Sequence, residues 1–340
     1  MKNALAWITL GLCTTAIAIA ACNKQQDRKA EPIVFHVPDG WPEPRYDFSA
    51  NPLTNAGFTL GKKLFYDGKL SKDGNFPCGS CHQQFAAFAN FDHDFSHGFN
   101  NQFTTRNAPA LNNLAWQTAF HRDGGITHLD LQPLAPITAP NEMAETIPAV
   151  LAKLSADPDY PALFKAAFPD GAINTANMTK ALSQFMLMLV SADAKYDRVM
   201  AGKESFDVNE AAGYSLFTSK GCTNCHAEPL FTNNSYVNDN LPVDPARNDV
   251  GRMAITGDPA DYGKFKVPSL RNAALTFPYM HDGRFGSLSE VMTHYAQTIP
   301  LTTAEQDLLI AFLQTLTDST LTRNPLFAPD TEVPSVHDHN

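Results

Sequence analysis

Two short cysteine motifs constrain what this chain can fold into more than any other feature. The sequence reads Cys-Gly-Ser-Cys-His at residues 78–82 and Cys-Thr-Asn-Cys-His at residues 222–226. Two thiols three positions apart can bond to the two vinyl groups of one porphyrin, and the histidine that follows is then placed to ligate its iron. A zinc site of four cysteines would use both pairs together, and neither it nor a redox-active dithiol requires a histidine after each pair. The motifs therefore predict two covalently bound haems c.

The attachment residues divide equally between the two haems. The first haem would be held by Cys78, Cys81 and His82, and the second by Cys222, Cys225 and His226. The chain has six cysteines, and the other two lie near its N-terminus. No cysteine is therefore left for a stabilising disulfide elsewhere, although exported proteins usually use their cysteines in that way.

The N-terminal segment resembles an export signal. A charged start precedes an apolar run from Ala4 to Ala21, and small residues stand directly before Cys22, as in a bacterial lipoprotein cleavage site. We therefore predict a lipoprotein signal peptide over residues 1–21, a lipid anchor to a membrane at Cys22, and a tether over residues 22–50. The alternative is an uncleaved membrane anchor, for which the apolar run is barely long enough. In either case the globular part would lie outside the cytoplasm, in the periplasm.

The hydrophobic pattern predicts a mainly α-helical protein. The chain has 340 residues and the motifs lie far apart in it, so each haem is expected to have its own domain. A helical stripe of apolar residues precedes each motif, and further helices are expected over residues 143–155, 179–198 and 303–316, the last with the capping pattern Thr303-Ala304-Glu305-Gln306. No other internal repeat is clear between the two haem units.

Five further motifs, taken together, resemble the bacterial di-haem cytochrome c peroxidase and MauG-like family, over about residues 51–316. They are Gly-Lys-Lys-Leu-Phe at 61–65, Arg-Asn-Ala-Pro at 106–109, the stretch 132–143, Phe-Lys-Val-Pro-Ser-Leu-Arg-Asn at 265–272, and Pro-Tyr-Met-His-Asp-Gly at 278–283. The resemblance implies two cytochrome c-like helical domains, with a calcium ion and a short electron path between them. The expected boundaries are 51–200 for the N-terminal peroxidatic haem domain, 201–300 for the C-terminal electron-transfer haem domain, and 301–340 for a segment that packs back on the first.

The resemblance also assigns roles to individual residues. It implies that Glu142 is the acid–base group of the peroxide pocket and that Gln132 is its hydrogen-bonding neighbour. Read without the family, Glu142 is an acid in the first turn of a helix, where it stabilises the helix dipole. The resemblance further implies calcium ligands from the backbone or side-chain oxygens of Asn107, Thr276 and Pro278. Read without it, Asn107 is a turn residue.

Three departures from the family pattern limit what can be transferred. Many members hold a distal histidine on the peroxidatic iron at rest, but an ungapped match puts Phe99 there, and only a two-residue gap restores His97. The tryptophan that usually precedes Asp-Gly between the haems is replaced by Arg122. Lys220 stands where the MauG enzyme that oxidises a partner protein has a tryptophan, so that particular chemistry is not supported.

The sixth ligand of the second haem is expected from a helix near residue 290. Ser287 and Glu290 predict a capping box at its start, and an ungapped count then assigns Tyr295 as the ligand, as in MauG-like members. Met292, one turn earlier, and His294 are the rivals. A phenolate would stabilise oxidised iron, whereas a thioether would favour the reduced form.

The leading functional hypothesis is therefore a peroxidase that reduces hydrogen peroxide with electrons from a small redox protein, a cytochrome c or a cupredoxin. A MauG-like oxidase of a protein or small molecule and a plain two-haem electron carrier are the alternatives. The formal net charge of −10 argues against nucleic acid as a partner and can attract a basic electron carrier. The sequence leaves a homodimer open.

Overall fold

The computed structural model describes residues 30–330, and the chain is mainly helical over that range. The predicted signal peptide and the lipidation site at Cys22 lie outside the described residues. In chain order, the helices are α1 Asn55–Tyr66, α2 Cys78–Cys81, α3 Leu134–Thr138, α4 Ile147–Ala156, α5 Tyr160–Ala167, α6 Thr175–Leu187, α7 Lys195–Met200, α8 Val208–Ser219, α9 Met253–Thr256, α10 Leu288–Tyr295, α11 Thr303–Gln314 and α12 Ser319–Thr322. Two short strands, β1 Tyr236–Val237 and β2 Phe265–Lys266, pair antiparallel. No helix within residues 30–330 is long and apolar enough to cross a membrane.

Two separate hydrophobic cores support the two haem motifs. The first is built mainly by α1, α5 and α6, and the second by α8, α10 and α11. A glycine lets the principal helix pair of each core approach closely. A Cβ atom on Gly61 would lie 1.9 Å from the carbonyl oxygen of Ala181, and one on Gly213 would lie 2.0 Å from that of Leu308. Any side chain at either glycine would therefore separate the helix pair that builds the core.

Both ends of the described chain pack differently from the prediction of a tether over 22–50 and of a segment over 301–340 that packs on the first domain. The second half of the predicted tether covers the first core with six apolar side chains: Ile33, Phe35, Val37, Trp41, Tyr46 and Phe48. The tether over residues 22–50 is therefore predicted too long, because composition does not reveal which apolar side chains find a surface. Helix α11 belongs to the second core, and the chain returns to the first core only later, through Leu321 and Phe327.

The predicted helices exist, with corrected boundaries. The helix expected over 179–198 is two helices, because α6 ends at Leu187 and α7 begins at Lys195. The capping box of α11 lies one residue earlier than expected, with Thr302 and Glu305 as its members. The box predicted from Ser287 and Glu290 is confirmed at the start of α10.

The prediction of no further internal repeat is wrong. Residues 107–126 and 266–285 align without a gap, and Pro109, Asn113, Asp123 and Gly124 recur as Pro268, Asn272, Asp282 and Gly283. Both segments close with an equivalent antiparallel bridge, Phe120 to Ile126 and Tyr279 to Phe285. Both asparagines adopt a left-handed conformation, and both bond to Ser191 between the units. The repeat escaped detection because few of its positions are identical.

Candidate haem and peroxide sites

Each motif histidine is oriented by a backbone carbonyl. The Nδ1 atom of His82 lies 2.9 Å from the carbonyl oxygen of Phe88. The Nδ1 atom of His226 lies 3.1 Å from the carbonyl oxygens of both Phe231 and Pro268. An Nδ1–H donor to a carbonyl fixes the tautomer and leaves Nε2 as a free lone pair, which is the arrangement that iron-ligating histidines use. Burial also lowers the pKa of both histidines, which favours the neutral ligand form.

The motif cysteines are compatible with thioether attachment. Cys78, Cys81, Cys222 and Cys225 are all partly buried and none forms a disulfide. A cavity of about 410 Å³ lies beside the first pair, and Cys78, Cys81 and His82 contribute to its wall. The residues present therefore fit covalent haem, as the sequence predicts.

Glu142 lies in the wall of the same cavity. Among the described residues that line the cavity, it is the one carboxylate. Burial raises the pKa of the Glu142 carboxyl above its usual value. Its backbone is held by a hydrogen bond from the amide of Phe99 to the Glu142 carbonyl, at 2.7 Å. It lies before the start of α4, whose N-cap is Thr146, so the alternative role as a first-turn acid of that helix does not apply.

Gln132 faces the same cavity and contacts a residue that the sequence analysis missed. The Nε2 atom of Gln132 lies 3.5 Å from Nε2 of His121, which also lines the cavity. Burial lowers the pKa of His121, so its ring favours the neutral form. His121 occupies the same repeat position as Met280, and both residues have a positive φ. Recognising the repeat in the sequence would therefore have drawn attention to His121.

The expectation that Phe99 faces the first iron is wrong. Phe99 is not among the cavity-lining residues, and its ring packs beneath the ammonium group of Lys72. His97 lines the cavity instead. The bridge between His97 and Phe103 sets the direction of this loop, and an ungapped alignment ignores it. The His97 ring is engaged within its own loop, with Nδ1 3.3 Å from Oδ1 of Asn101.

The three rival ligands of the second haem differ in their surroundings. The Nε2 atom of His294 lies 2.9 Å from the carbonyl oxygen of Asp239, so this nitrogen already has a partner. Met292 is 9% exposed and belongs to the second core. Burial raises the pKa of Tyr295 far above its usual value, and the carboxylate of Asp239 and the two motif cysteines raise it further. The phenol therefore lies within electrostatic reach of the second attachment site.

The three predicted calcium ligands line one cavity wall, but their surroundings do not fit a calcium ion. Asn107, Thr276 and Pro278 all contribute to that wall. Both oxygens of Asn107 accept hydrogen bonds from Arg122, the side-chain oxygen from Nη2 at 2.8 Å and the carbonyl from Nε at 2.9 Å. Calcium requires several free, preferably anionic, oxygen ligands. A guanidinium already uses two of the oxygens that the resemblance assigns to the metal.

Comparisons with known proteins agree with this arrangement. The profile of the family described as di-haem cytochrome c peroxidase matches residues 55–205. The methylamine utilization protein MauG of Methylorubrum extorquens is 36% identical, over 92% of this chain and 94% of that protein. The cytochrome c551 peroxidase of Nitrosomonas europaea is 35% identical, over 76% of this chain and 79% of that protein.

Solved structures have the same fold. A MauG-like protein associated with microbial copper homeostasis superposes with a TM-score of 0.80 at 32% identity, covering 88% of this chain and 99% of that one. A di-haem peroxidase of Burkholderia thailandensis has a TM-score of 0.70 at 22% identity, which supports the fold alone. The chain therefore belongs to the di-haem cytochrome c peroxidase and MauG family of oxidoreductases, whose members carry two haems c.

Proposed function

We propose that this protein reduces hydrogen peroxide at its N-terminal haem, with electrons that enter through its C-terminal haem from a small redox protein. The observation that supports this proposal most strongly is Glu142, a partly buried carboxyl and the one carboxylate among the described residues that line the cavity with Cys81 and His82. A plain electron carrier has no use for such a group, because a buried acid costs stability and contributes nothing to electron transfer.

The haem iron, when bound, supplies the coordination and electrons that break the oxygen–oxygen bond. In the proposed mechanism, Glu142 takes a proton from one oxygen of the peroxide and returns it to the other, which leaves as water. The amide of Gln132 orients the peroxide by hydrogen bonding. A raised pKa suits Glu142 to this role, because a carboxyl that both accepts and donates a proton works best with a pKa nearer the working pH.

We also propose Tyr295 as the sixth ligand of the second haem. Gly124 and Gly283 are equivalent positions of the internal repeat. The segment that contains Gln132 follows Gly124, and the start of α10 follows Gly283 in the same way. One segment would thus form the distal side of each haem, with a peroxide pocket in the first unit and a fixed ligand in the second. The Nε2 atom of His294 already has a hydrogen-bond partner, and the phenol of Tyr295 lies within electrostatic reach of Cys222 and Cys225; both observations favour the tyrosine.

A MauG-like oxidation of a protein or small molecule is the second candidate, and Tyr295 favours it. A phenolate ligand lowers the reduction potential, which suits storage of oxidising equivalents better than uptake of electrons from a high-potential donor. Lys220 argues against a partner protein oxidised through that position. It forms an ion pair with Glu305 at 2.8 Å, and its ammonium donates to the carbonyl of Pro300, so it serves the local structure.

The setting of the reaction is also part of the proposal. The predicted signal peptide and the anchor at Cys22 support a periplasmic protein that is tethered to a membrane. The net charge of −10 supports a basic donor, and cytochrome c and cupredoxins are the classes of donor to test. Calcium is not included, because Arg122 occupies the oxygens of Asn107.

The two candidate functions differ in what is oxidised. The holoprotein is supplied with peroxide and a reduced cytochrome c or cupredoxin, and donor oxidation is followed during steady-state turnover. A peroxidase oxidises the donor in proportion to the peroxide consumed. If the donor stays reduced while peroxide disappears, and mass spectrometry finds oxygen added to amino-acid side chains, the MauG-like function replaces the proposed one.

A further inference from the structure

The two haem units meet through a pair of equivalent hydrogen bonds. The amide N–H of Asn107 donates to the carbonyl of His281 at 2.9 Å, and the amide N–H of Lys266 donates to the carbonyl of Arg122 at 2.7 Å. Asn107 and Lys266 occupy the same position of the internal repeat, as do Arg122 and His281. The contact between the units is therefore approximately two-fold symmetric, so that each residue in it has an equivalent residue in the other unit.

On one side of this contact, the protein supplies a cation from its own chain. The ammonium group of Lys266 donates to the side-chain oxygen of Gln117 and to the carbonyl of Ala119, both at 2.5 Å. Gln117 and Ala119 are the repeat counterparts of Thr276 and Pro278. Thr276 and Pro278 are two of the three residues that the family resemblance implies as calcium ligands. A side-chain cation thus fills the symmetry-related oxygen site.

On the other side, Arg122 donates to both oxygens of Asn107, in the fork geometry that suits a guanidinium. The amide nitrogen of Asn107 points the other way, 3.5 Å and 3.4 Å from the carbonyl oxygens of His93 and Asp94. This orientation directs the side-chain oxygen towards Arg122. Asn107 is 3% exposed, so water does not compete readily for it.

The charges around this contact are already matched by side chains. Arg106 is ion-paired with Asp123 and Asp249. Arg122 lies within electrostatic reach of Asp282, and Lys266 lies within reach of Asp123.

We propose that this protein needs no calcium ion between its two haem units, because the guanidinium of Arg122 is the built-in cation of that site. Arg122 holds Asn107, and Asn107 holds the second unit through His281. The guanidinium would thereby stabilise the contact between the two haem units in place of a metal ion, and chelators would not affect that contact. The inference goes beyond the proposed function, and counting metal ions does not depend on turnover.

The wild-type holoprotein provides the first test. We expect clearly substoichiometric calcium by mass spectrometry after dialysis into metal-free buffer. We also expect no change in the ferric electron paramagnetic resonance spectrum or the thermal midpoint when calcium or EGTA is added. One tightly held calcium per chain, or a change of either signal with EGTA, would overturn the proposal.

Two variants test the cause. Arg122→Trp restores the residue usual in the family and frees both oxygens of Asn107, so its thermal midpoint should rise on adding calcium. Arg122→Lys keeps the charge but loses the fork, so it should be less stable than the wild type and still insensitive to calcium. If Arg122→Trp does not fold, Arg122→Gln frees the same oxygens and takes its place. If folded Arg122→Trp or Arg122→Gln still ignores calcium, the guanidinium is not what excludes the ion.

Discussion

Replacing Glu142 by glutamine removes the proposed proton carrier while it preserves the volume of the side chain. A positioned acid–base group typically contributes about 10²- to 10⁴-fold in rate. This range corresponds to about 2.7 to 5.4 kcal/mol of barrier, at about 1.4 kcal/mol for each factor of ten.

The structure narrows this range. Glu142 is the one carboxylate among the described residues that line the cavity, so no second carboxylate can replace it. His97 and His121 line the same cavity, and either imidazole can carry a proton at reduced efficiency. We therefore expect Glu142→Gln to lose about 10²- to 10³-fold of peroxide turnover while it keeps both haems.

The assay is steady-state peroxide consumption with a reduced donor, measured across pH. To accept a proton from peroxide, Glu142 must be ionised, so activity should rise with pH through its pKa. Because burial raises that pKa, the rise should lie above the usual carboxylic range, and Glu142→Gln should lack it. Glu145→Gln is the matched control, since Glu145 is ion-paired with Lys153 at 2.5 Å and does not line the cavity. Wild-type turnover in Glu142→Gln would refute the acid–base role.

Three further predictions concern the haems. Pyridine haemochrome assay of the denatured protein should find two haems per chain, and Cys222→Ala combined with Cys225→Ala should leave one; a single haem in the wild type would contradict the attachment sites. Tyr295→Phe should raise the potential of one haem and change its low-spin signal, whereas a sulfur-to-iron charge-transfer band in the wild type would indicate methionine instead. The proposed reaction requires an open position on the first iron at rest, so the ferric wild type should show one high-spin haem. Two low-spin haems, with a high-spin signal only in His97→Ala, would show that His97 is a ligand.

The haem sites were predictable because covalent attachment imposes a strict local spacing. Cys78, Cys81 and His82 lie within five consecutive residues, so they can be recognised without knowledge of the tertiary structure. The capping box at Ser287 is local for the same reason, since both its members lie within one helical turn. Glu142 required a family resemblance, because nothing in its immediate sequence separates a catalytic acid from a structural one.

Features that depend on tertiary approach were not predictable in the same way. Whether Phe99 or His97 faces the first haem depends on a backbone bridge that only the folded loop reveals. The role of Arg122 depends on its contact with Asn107, 15 positions away. Arg122 is visible in the sequence as a departure from the family pattern, but its chemical consequence depends on the folded geometry.

Mixing the fully reduced holoprotein with peroxide in a stopped-flow spectrometer tests the central claim most directly. One peroxide consumes two electrons, so one equivalent should oxidise both haems of each chain. The spectrum of the N-terminal haem should change first, and that of the C-terminal haem should follow as it delivers its electron. In Glu142→Gln the first of these changes should be slowed. If peroxide leaves the N-terminal haem reduced, or oxidises the C-terminal haem first, then peroxide is not reduced at the site beside Glu142 and the account is wrong.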